Sequence, residues 1–344
     1  MLAAPPFNYL ETLSKVDDAI DHNAELARSI VQAGLPNFLP NEAPSQRGHQ
    51  IKLPPKWAGC AKHQDIDKAR STLRQFYRDW TAEGASEREA CYGPIMRALK
   101  AETEAKGHSL KVLVPGAGLA RLVFELCLRG CQVEGNEISY HQLLASSYIL
   151  NCCHSAGQHT IYPWVHSFSN HKTRANHLRG YTVPDVHVAT EVGKSHEKGV
   201  FGSMQMSAAD FLCEYSDEEH AETYDAVASV FFLDTAPNLI RYLETIHHCL
   251  KRGGVLVNIG PLLWHFENNA PGGHGKDDLD EDTTTGIADP GSFELTQDEV
   301  MALVEKVGFT IESMETGITA PYIHDTDSML QTVYKASTWV ARKQ

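Results

Sequence analysis

The 344-residue chain has no apolar run approaching the roughly 20 residues that a membrane span requires. Its N-terminus, MLAAPPFNYLETLSK, lacks a basic opening and a signal-length apolar stretch, and it carries acids early. No signal or transit peptide is read there, so the expected compartment is the cytoplasm, with the nucleus also open to it. Basic residues are scarce: 30 Lys and Arg stand against 44 Asp and Glu, for a formal net charge of −14. That shortage argues against a general nucleic-acid or anionic-membrane binder, because either needs a basic surface to displace counterions. None of the eight cysteines falls in a C-x-x-C pair, and His154, His159, His166, His171 and His177 match no standard zinc spacing. Reduced, mostly buried thiols and no metal site are expected.

What is present is enough apolar residue, 42%, for a sizeable core. Residues 13–33 read as a helix, and Pro36 to Pro55 as a surface loop. In HQDIDKARSTLRQFYRDW, Leu73, Phe76, Tyr77 and Trp80 recur at helical spacing, with Gln75 and Arg78 on a neighbouring face. Ser86 and Glu89 have the spacing of a capping box, and Pro94 predicts a kink or restart in the helix that follows. From Leu110 strand and helix patterns alternate. Strands are predicted at 111–115, 131–136, 203–207, 224–231 and 254–260, and helices at 118–129, 139–153 and 236–251. That alternation means a parallel sheet with helices on both faces. A helix at 296–307 and strands near 309–318 and 330–341 close the chain. The histidine- and proline-rich stretch 154–200 suggests no firm structure. The expected organisation is an N-terminal helical region, 1–105, contributing to a cofactor site, and a core, 106–344, with inserted segments near 154–200 and 267–292. The N-terminal helices, lying outside the core, offer a surface for a homodimer.

The stretch VLVPGAGLARLVFELCLRGCQVEGNEIS, Val112 to Ser139, outlines a nucleotide-type cofactor site. A strand enters Gly116-x-Gly118, a helix follows, and Glu137 closes the second strand, where an acid accepts hydrogen bonds from ribose hydroxyls. Dinucleotide oxidoreductases and S-adenosylmethionine-dependent methyltransferases share this arrangement, so the turn alone does not choose between them. Three later features favour methyl transfer. Asp210-Phe211 follows the strand at 203–207, where class I methyltransferases hold and cover the adenine. LETIHHCLKRGGVLVNIGP resembles the turn into their fifth strand, with Arg252 at the proline position. The closing helix and two strands suit an antiparallel C-terminal hairpin, whereas an oxidoreductase would ordinarily repeat its βαβ half.

With those residues placed, the chain resembles the carnosine N-methyltransferases. The resemblance lies in STLRQFYRDW, VLVPGAGLARL, GNEISYHQLLASSYILN, YPWVHSFSNHKTRANHLRGYTVPDV, FFLDTAPNLIRYLETI and GPLLWHFEN, spread over about residues 65–344. It implies an α/β fold: a seven-stranded, mostly parallel class I methyltransferase sheet with an antiparallel C-terminal hairpin and an N-terminal helical extension. It implies methyl transfer from S-adenosylmethionine to an imidazole nitrogen of carnosine, giving anserine, or of a related His-containing dipeptide. A protein-histidine methyltransferase is the alternative, and a dinucleotide-dependent oxidoreductase a further one. Carried onto this chain, the family pattern puts cofactor contacts at Gln75, Arg78, Gly116, Glu137, Asp210, Phe211 and Val230, beside the turn residue Gly118. It puts substrate contacts at Asp234, His265 and Tyr334. Taken by itself, Asp234 is equally well placed to cap a helix starting near Pro237. Ala120, Arg252 and Val230 depart from the family pattern, and the acidic insertion after Glu267 is longer than the family suggests.

Overall fold

The computed structural model describes residues 1–38, 59–200, 202–267 and 293–344. Most of the proline-rich loop expected at 36–55 and of the acidic loop expected at 267–292 lies outside them; Pro36 falls inside the first helix. The chain divides into two compact units, each discontinuous in sequence.

The first unit comprises residues 1–87, 140–193 and 321–332. It contains α1 (Tyr9–Phe38), α2 (His63–Trp80), the start of α3 (Ala85–Lys106) and α5 (Tyr140–Asn151). The segment left open by the sequence pattern carries a two-stranded antiparallel pair, β3 (His159–Ile161) and β4 (Tyr181–Val183), with the short α6 (Arg174–His177) between them and α7 (Val188–Glu197) after. The helical spacing in α2 is borne out: Phe76, Tyr77 and Trp80 are buried. The Tyr77 ring meets Trp164 and Tyr181 edge-on, with centroids 5.5 and 4.8 Å away. Asn23, buried on α1, binds the main chain of Tyr162 in both directions, at 3.0 and 2.7 Å. One side chain thereby satisfies two backbone groups that burial would otherwise leave costly.

The second unit comprises residues 88–139, 194–320 and 333–344. It holds the remainder of α3, then β1 (Lys111–Pro115), α4 (Arg121–Cys127), β2 (Gln132–Glu137), β5 (Ser203–Ala208), α8 (Phe211–Tyr215) and β6 (Tyr224–Val230). α9 (Leu239–Cys249), β7 (Leu250–Gly260), α10 (Gln297–Val307), β8 (Phe309–Pro321) and β9 (Val333–Lys343) follow. Seven strands form one sheet in the order β5-β2-β1-β6-β7-β9-β8. β5, β2, β1, β6 and β7 pair in parallel, and β9 runs antiparallel to β7. Lys335 bonds Thr319 and Arg342 bonds Glu312, so β8 runs antiparallel to β9. The last strand thus slots between the fifth and sixth of the sheet. This is the class I methyltransferase arrangement, Rossmann-like in its parallel part. β6, α9, β7, α10 and β8 repeat the strand–helix alternation, and the departure from a dinucleotide-binding sheet is the antiparallel β9 inserted between β7 and β8.

β1 and β6 are apolar runs buried along nearly their whole length, as strands covered on both faces must be. On one face Leu113, Val227, Leu256 and Trp339 pack against Phe211, Leu212, Leu243, Ile246, Val300 and Val304 from α8, α9 and α10. On the other, Ala98, Ala101 and Ala105 of α3 line a cleft with Val255, Val257 and Val340. α3 does not break at Pro94. Ile95 and Leu99, both fully buried, hold the helix on the sheet and offset the hydrogen bond that proline forfeits. Nor is Ser86 a cap, because the helix already starts at Ala85. Among the described residues no cysteine forms a disulfide, and Cys91, Cys127, Cys131, Cys153 and Cys249 are buried. No helix among the described residues is long and apolar enough to cross a membrane.

Candidate functional site

The parallel strands of the second unit end at one edge, and loops gather there as open α/β sheets require of a ligand site. β1 runs into a turn in which Gly116, Gly118 and Ala120 all have positive φ, +63°, +57° and +58°. The glycines adopt this conformation without strain; Ala120, at the N-cap of α4, has a Cβ and pays the left-handed penalty. A Cβ on Gly116 would stand 2.7 Å from Cδ2 of Phe232, so that position admits no side chain.

The turn is tied to the end of β2. The Ala117 N–H donates to the Asn136 carbonyl at 2.8 Å, and the Gly118 N–H donates to one oxygen of Glu137 at 2.9 Å. The other Glu137 oxygen accepts the N–H groups of Ile138 and Ser139, each at 2.9 Å. Glu137 is only 7% exposed. Burial pushes its carboxyl above the ordinary glutamate value, against the pull of those three N–H donors.

Asn136 also donates from its side chain to the Ala209 carbonyl at 2.9 Å, fixing the loop that delivers Asp210. One buried asparagine therefore fastens the loops after β1 and β5 to the end of β2. Sequence reading passed over it, although it sits inside GNE beside the chosen glutamate. Asp210 is the N-cap of α8, accepting the N–H groups of Leu212 and Cys213 at 3.0 and 3.1 Å. Phe211 is 3% exposed, with Phe232 and Tyr242 each 5.3 Å away by ring centroid, so most of its ring serves the core.

The candidate substrate residues gather after β6 and β7. Val230 ends β6 opposite Ile259. Phe231 follows with φ +51°, held by its N–H to the Ile259 carbonyl at 2.9 Å. A bulky residue in that conformation marks local strain, which the sequence could not display. Asp234 lies in a single 3-10 turn, Leu233–Thr235, and is 3% exposed. It does not cap α9, because Asn238 does so, accepting the Arg241 N–H at 3.3 Å. Instead the Asp234 carboxylate accepts the Leu263 N–H at 3.0 Å, and its backbone carbonyl accepts the His265 N–H at 3.1 Å. Burial pushes the Asp234 carboxyl above the usual aspartate range, opposed by the Leu263 N–H and the nearby His265. His265 is exposed. Tyr334, on β9, presents its ring edge-on to Phe231 with centroids 5.8 Å apart.

Gly118 and Glu137 are thus bonded directly, the loop bearing Asp210 is tied to the same strand end through Asn136, and Asp234 and His265 are joined by a backbone bond. Phe232 lies beside Gly116, and Phe231 adjoins Tyr334. Gln75 and Arg78 lie on α2 in the other unit. The Gln75 carbonyl accepts from Gln142 at 3.0 Å. Arg78 pairs in two-pronged fashion with the buried carboxylate of Asp79, at 2.7 and 2.8 Å, so one edge of its guanidinium is already engaged.

A profile of the family described as carnosine N-methyltransferase matches residues 55–344. A carnosine N-methyltransferase of Schizosaccharomyces pombe is 33% identical over 340 residues, 98% of this chain and 84% of that protein. One from Rattus norvegicus is 34% identical over 334 residues, 96% of this chain and 75% of that protein. Among solved structures, a magnesium protoporphyrin IX methyltransferase of Synechocystis with bound SAH is 13% identical at a TM-score of 0.36. That alignment covers 80% of this chain and 100% of the other.

Proposed function

The chain belongs to the carnosine N-methyltransferase family, and we propose that it moves a methyl group from S-adenosylmethionine to an imidazole nitrogen of carnosine, giving anserine. The observation that carries this reading is the pairing of Asp234 with the segment bearing His265 at the sheet edge where the parallel strands end. A buried carboxylate there is costly to keep ionised, and helix capping does not explain it.

The residues present suit the methyl donor. Gly116, in the left-handed region against Phe232, keeps the turn bare of a side chain, and the Glu137 carboxylate has lone pairs beyond the three N–H bonds it accepts. Gly116, Gly118 and Glu137 would hold the nucleoside, with Asp210, Phe211 and Val230 at the adenine side. When bound, S-adenosylmethionine supplies a methyl group on a sulfonium, an electrophile that needs only a neutral lone pair opposite it.

The protein's task is then tautomer and position. Asp234 accepts the N–H of one imidazole nitrogen, which leaves the lone pair on the other nitrogen and raises its basicity. His265 and Tyr334 orient the dipeptide, and much of the acceleration comes from holding the acceptor in line. The test is incubation with labelled S-adenosylmethionine and a panel of carnosine, histidine, related dipeptides and His-containing proteins. Label on carnosine supports the reading. Label confined to proteins would replace it with protein-histidine methylation, and no label anywhere would reject it.

A further inference from the structure

Asn136 stands near the end of β2, one residue before Glu137, and is 2% exposed. Its polar groups serve two different loops of the same unit. The backbone carbonyl accepts the Ala117 N–H and so holds the glycine turn, a bond open to any residue at this position. Only the side chain reaches the loop after β5, where it donates to the Ala209 carbonyl at 2.9 Å. The ladder between β2 and β5 closes at the pair Glu137–Ala208, so Ala209 is the first residue beyond it. The Asn136 amide takes over where the ladder stops.

Asp210 comes next in the chain. On its far side it is held by α8: Phe211, Leu212 and Tyr215 are buried, and the Asp210 carbonyl accepts the Glu214 N–H at 3.0 Å. On its near side the link is Ala209, and through it Asn136. The two capping N–H groups, of Leu212 and Cys213, both go to Oδ1 of Asp210. A carboxylate has about four acceptor sites, so capping leaves some for a further donor such as the exocyclic amine of adenine. A carbonyl in place of that amine would meet the carboxylate with a lone pair instead of a proton.

We infer that Asn136 is a positioning residue that sets the selectivity of the cofactor site for adenine: by fixing Ala209 it places the Asp210 carboxylate where the base presents its amine. Asn136 need touch no cofactor atom itself. The inference rests on the reading of Asp210 as an adenine contact. The ribose side is separate, because the bond from Gly118 to Glu137 does not pass through the Asn136 side chain.

The test is calorimetric titration of the full chain with S-adenosylhomocysteine and with S-inosylhomocysteine, whose base carries a carbonyl in place of the amine. Wild type should bind the adenine compound at least about tenfold more tightly, the scale of one hydrogen bond to a charged group. Asn136→Leu shares the branched outline of asparagine and has no donor; it should bring the two affinities to within about twofold of each other. Amide hydrogen exchange over 209–213 should quicken in that variant, and exchange over 116–120 should not. A preference unchanged from wild type would overturn the inference. So would equal weakening of both compounds, because a site that is merely loosened loses both alike. Asp210→Asn keeps the helix cap and should lower the preference as well. A wild type without preference, or an Asp210→Asn variant that keeps it, rejects the adenine reading of Asp210 and the inference with it. Preference lost in Asp210→Asn but kept in Asn136→Leu rejects the inference alone. Where Asn136→Leu fails to fold, Asn136→Asp replaces it. Its carboxyl donates to the Ala209 carbonyl only when protonated, so the preference should approach that of wild type in acid and fall as pH rises. A preference that tracks wild type across pH would overturn the inference there.

Discussion

Replacing Asp234 with asparagine keeps the shape of the side chain and removes its charge. The wild-type carboxylate is 3% exposed and accepts the Leu263 N–H, a bond that the asparagine carbonyl oxygen still makes. On the proposed function, what is lost is the charged acceptor offered to the imidazole N–H. A hydrogen bond to a charged group is worth about 1.5–3 kcal/mol, and each 1.36 kcal/mol is about a decade of rate. That alone costs about one to two decades. The new amide group also presents a donor, which favours the opposite ring tautomer and hides the reacting lone pair, so turnover on carnosine should fall by about two decades or more. Stability should move the other way. Because burial raises the Asp234 pKa in the fold, its contribution is fully present only below the unfolded aspartate value and is lost as pH rises through the folded one. At neutral pH the native protein carries the cost of an ionised buried acid, and Asp234→Asn removes it. The Tm of the variant should equal or exceed that of wild type at neutral pH, and the difference should close on acidification towards about pH 4. Steady-state kinetics on carnosine, a calorimetric cofactor titration and thermal unfolding across pH check all three. Near-wild-type turnover, or a loss explained wholly by weaker cofactor binding, would remove Asp234 from the substrate site.

Glu137→Ala should weaken S-adenosylmethionine binding by about one to two decades, from the loss of charge-assisted bonds of about 1.5–3 kcal/mol, read by calorimetry on the folded variant. Gly116→Ala combines a left-handed alanine, about 1–2 kcal/mol, with a contact against Phe232; it should lower the urea midpoint and abolish cofactor binding together. Asp225 accepts the Lys111 N–H at 2.9 Å and pairs with Lys251 at 3.0 Å. Although burial raises its pKa, these partners and Lys106 prevail and lower it. Its stabilisation is therefore present above the unfolded aspartate value and lost as pH falls through the folded one, so Asp225→Asn should be less stable than wild type at neutral pH and converge with it in acid.

The central parallel strands β1, β6 and β7 were legible because each contains a short, largely apolar run bounded by turn residues, a pattern local to the chain. The final hairpin was legible only roughly. Strands predicted at 309–318 and 330–341 are Phe309–Pro321 and Val333–Lys343. Leu330 read as strand but is a largely exposed residue of the turn. The stretch 154–200 stayed opaque because β3 and β4 have three residues each, too few to leave a period. For the site, residue type and position by a strand end pointed to Glu137 and Asp210, and the family resemblance pointed to Asp234. Residue type and position were not enough to choose between capping and binding for Asp234, because that depends on where Asn238 and Leu263 fall in space.

Alternating short apolar runs and a two-glycine turn specify a doubly covered parallel sheet and the edge at which a cofactor belongs, because backbone geometry and burial on both faces act within a few residues. Long-range contacts obey no such local rule. The bond from Glu87 to Ile323 spans 236 positions. Asn136 fastens two loops whose anchor points, Ala117 and Ala209, are 19 residues before it and 73 after it. Such partners are fixed only when the sheet order and the hairpin turn bring distant backbone groups into the same dry interior. There an unmatched carboxylate or amide is too costly to leave, so folding alone decides which ones meet.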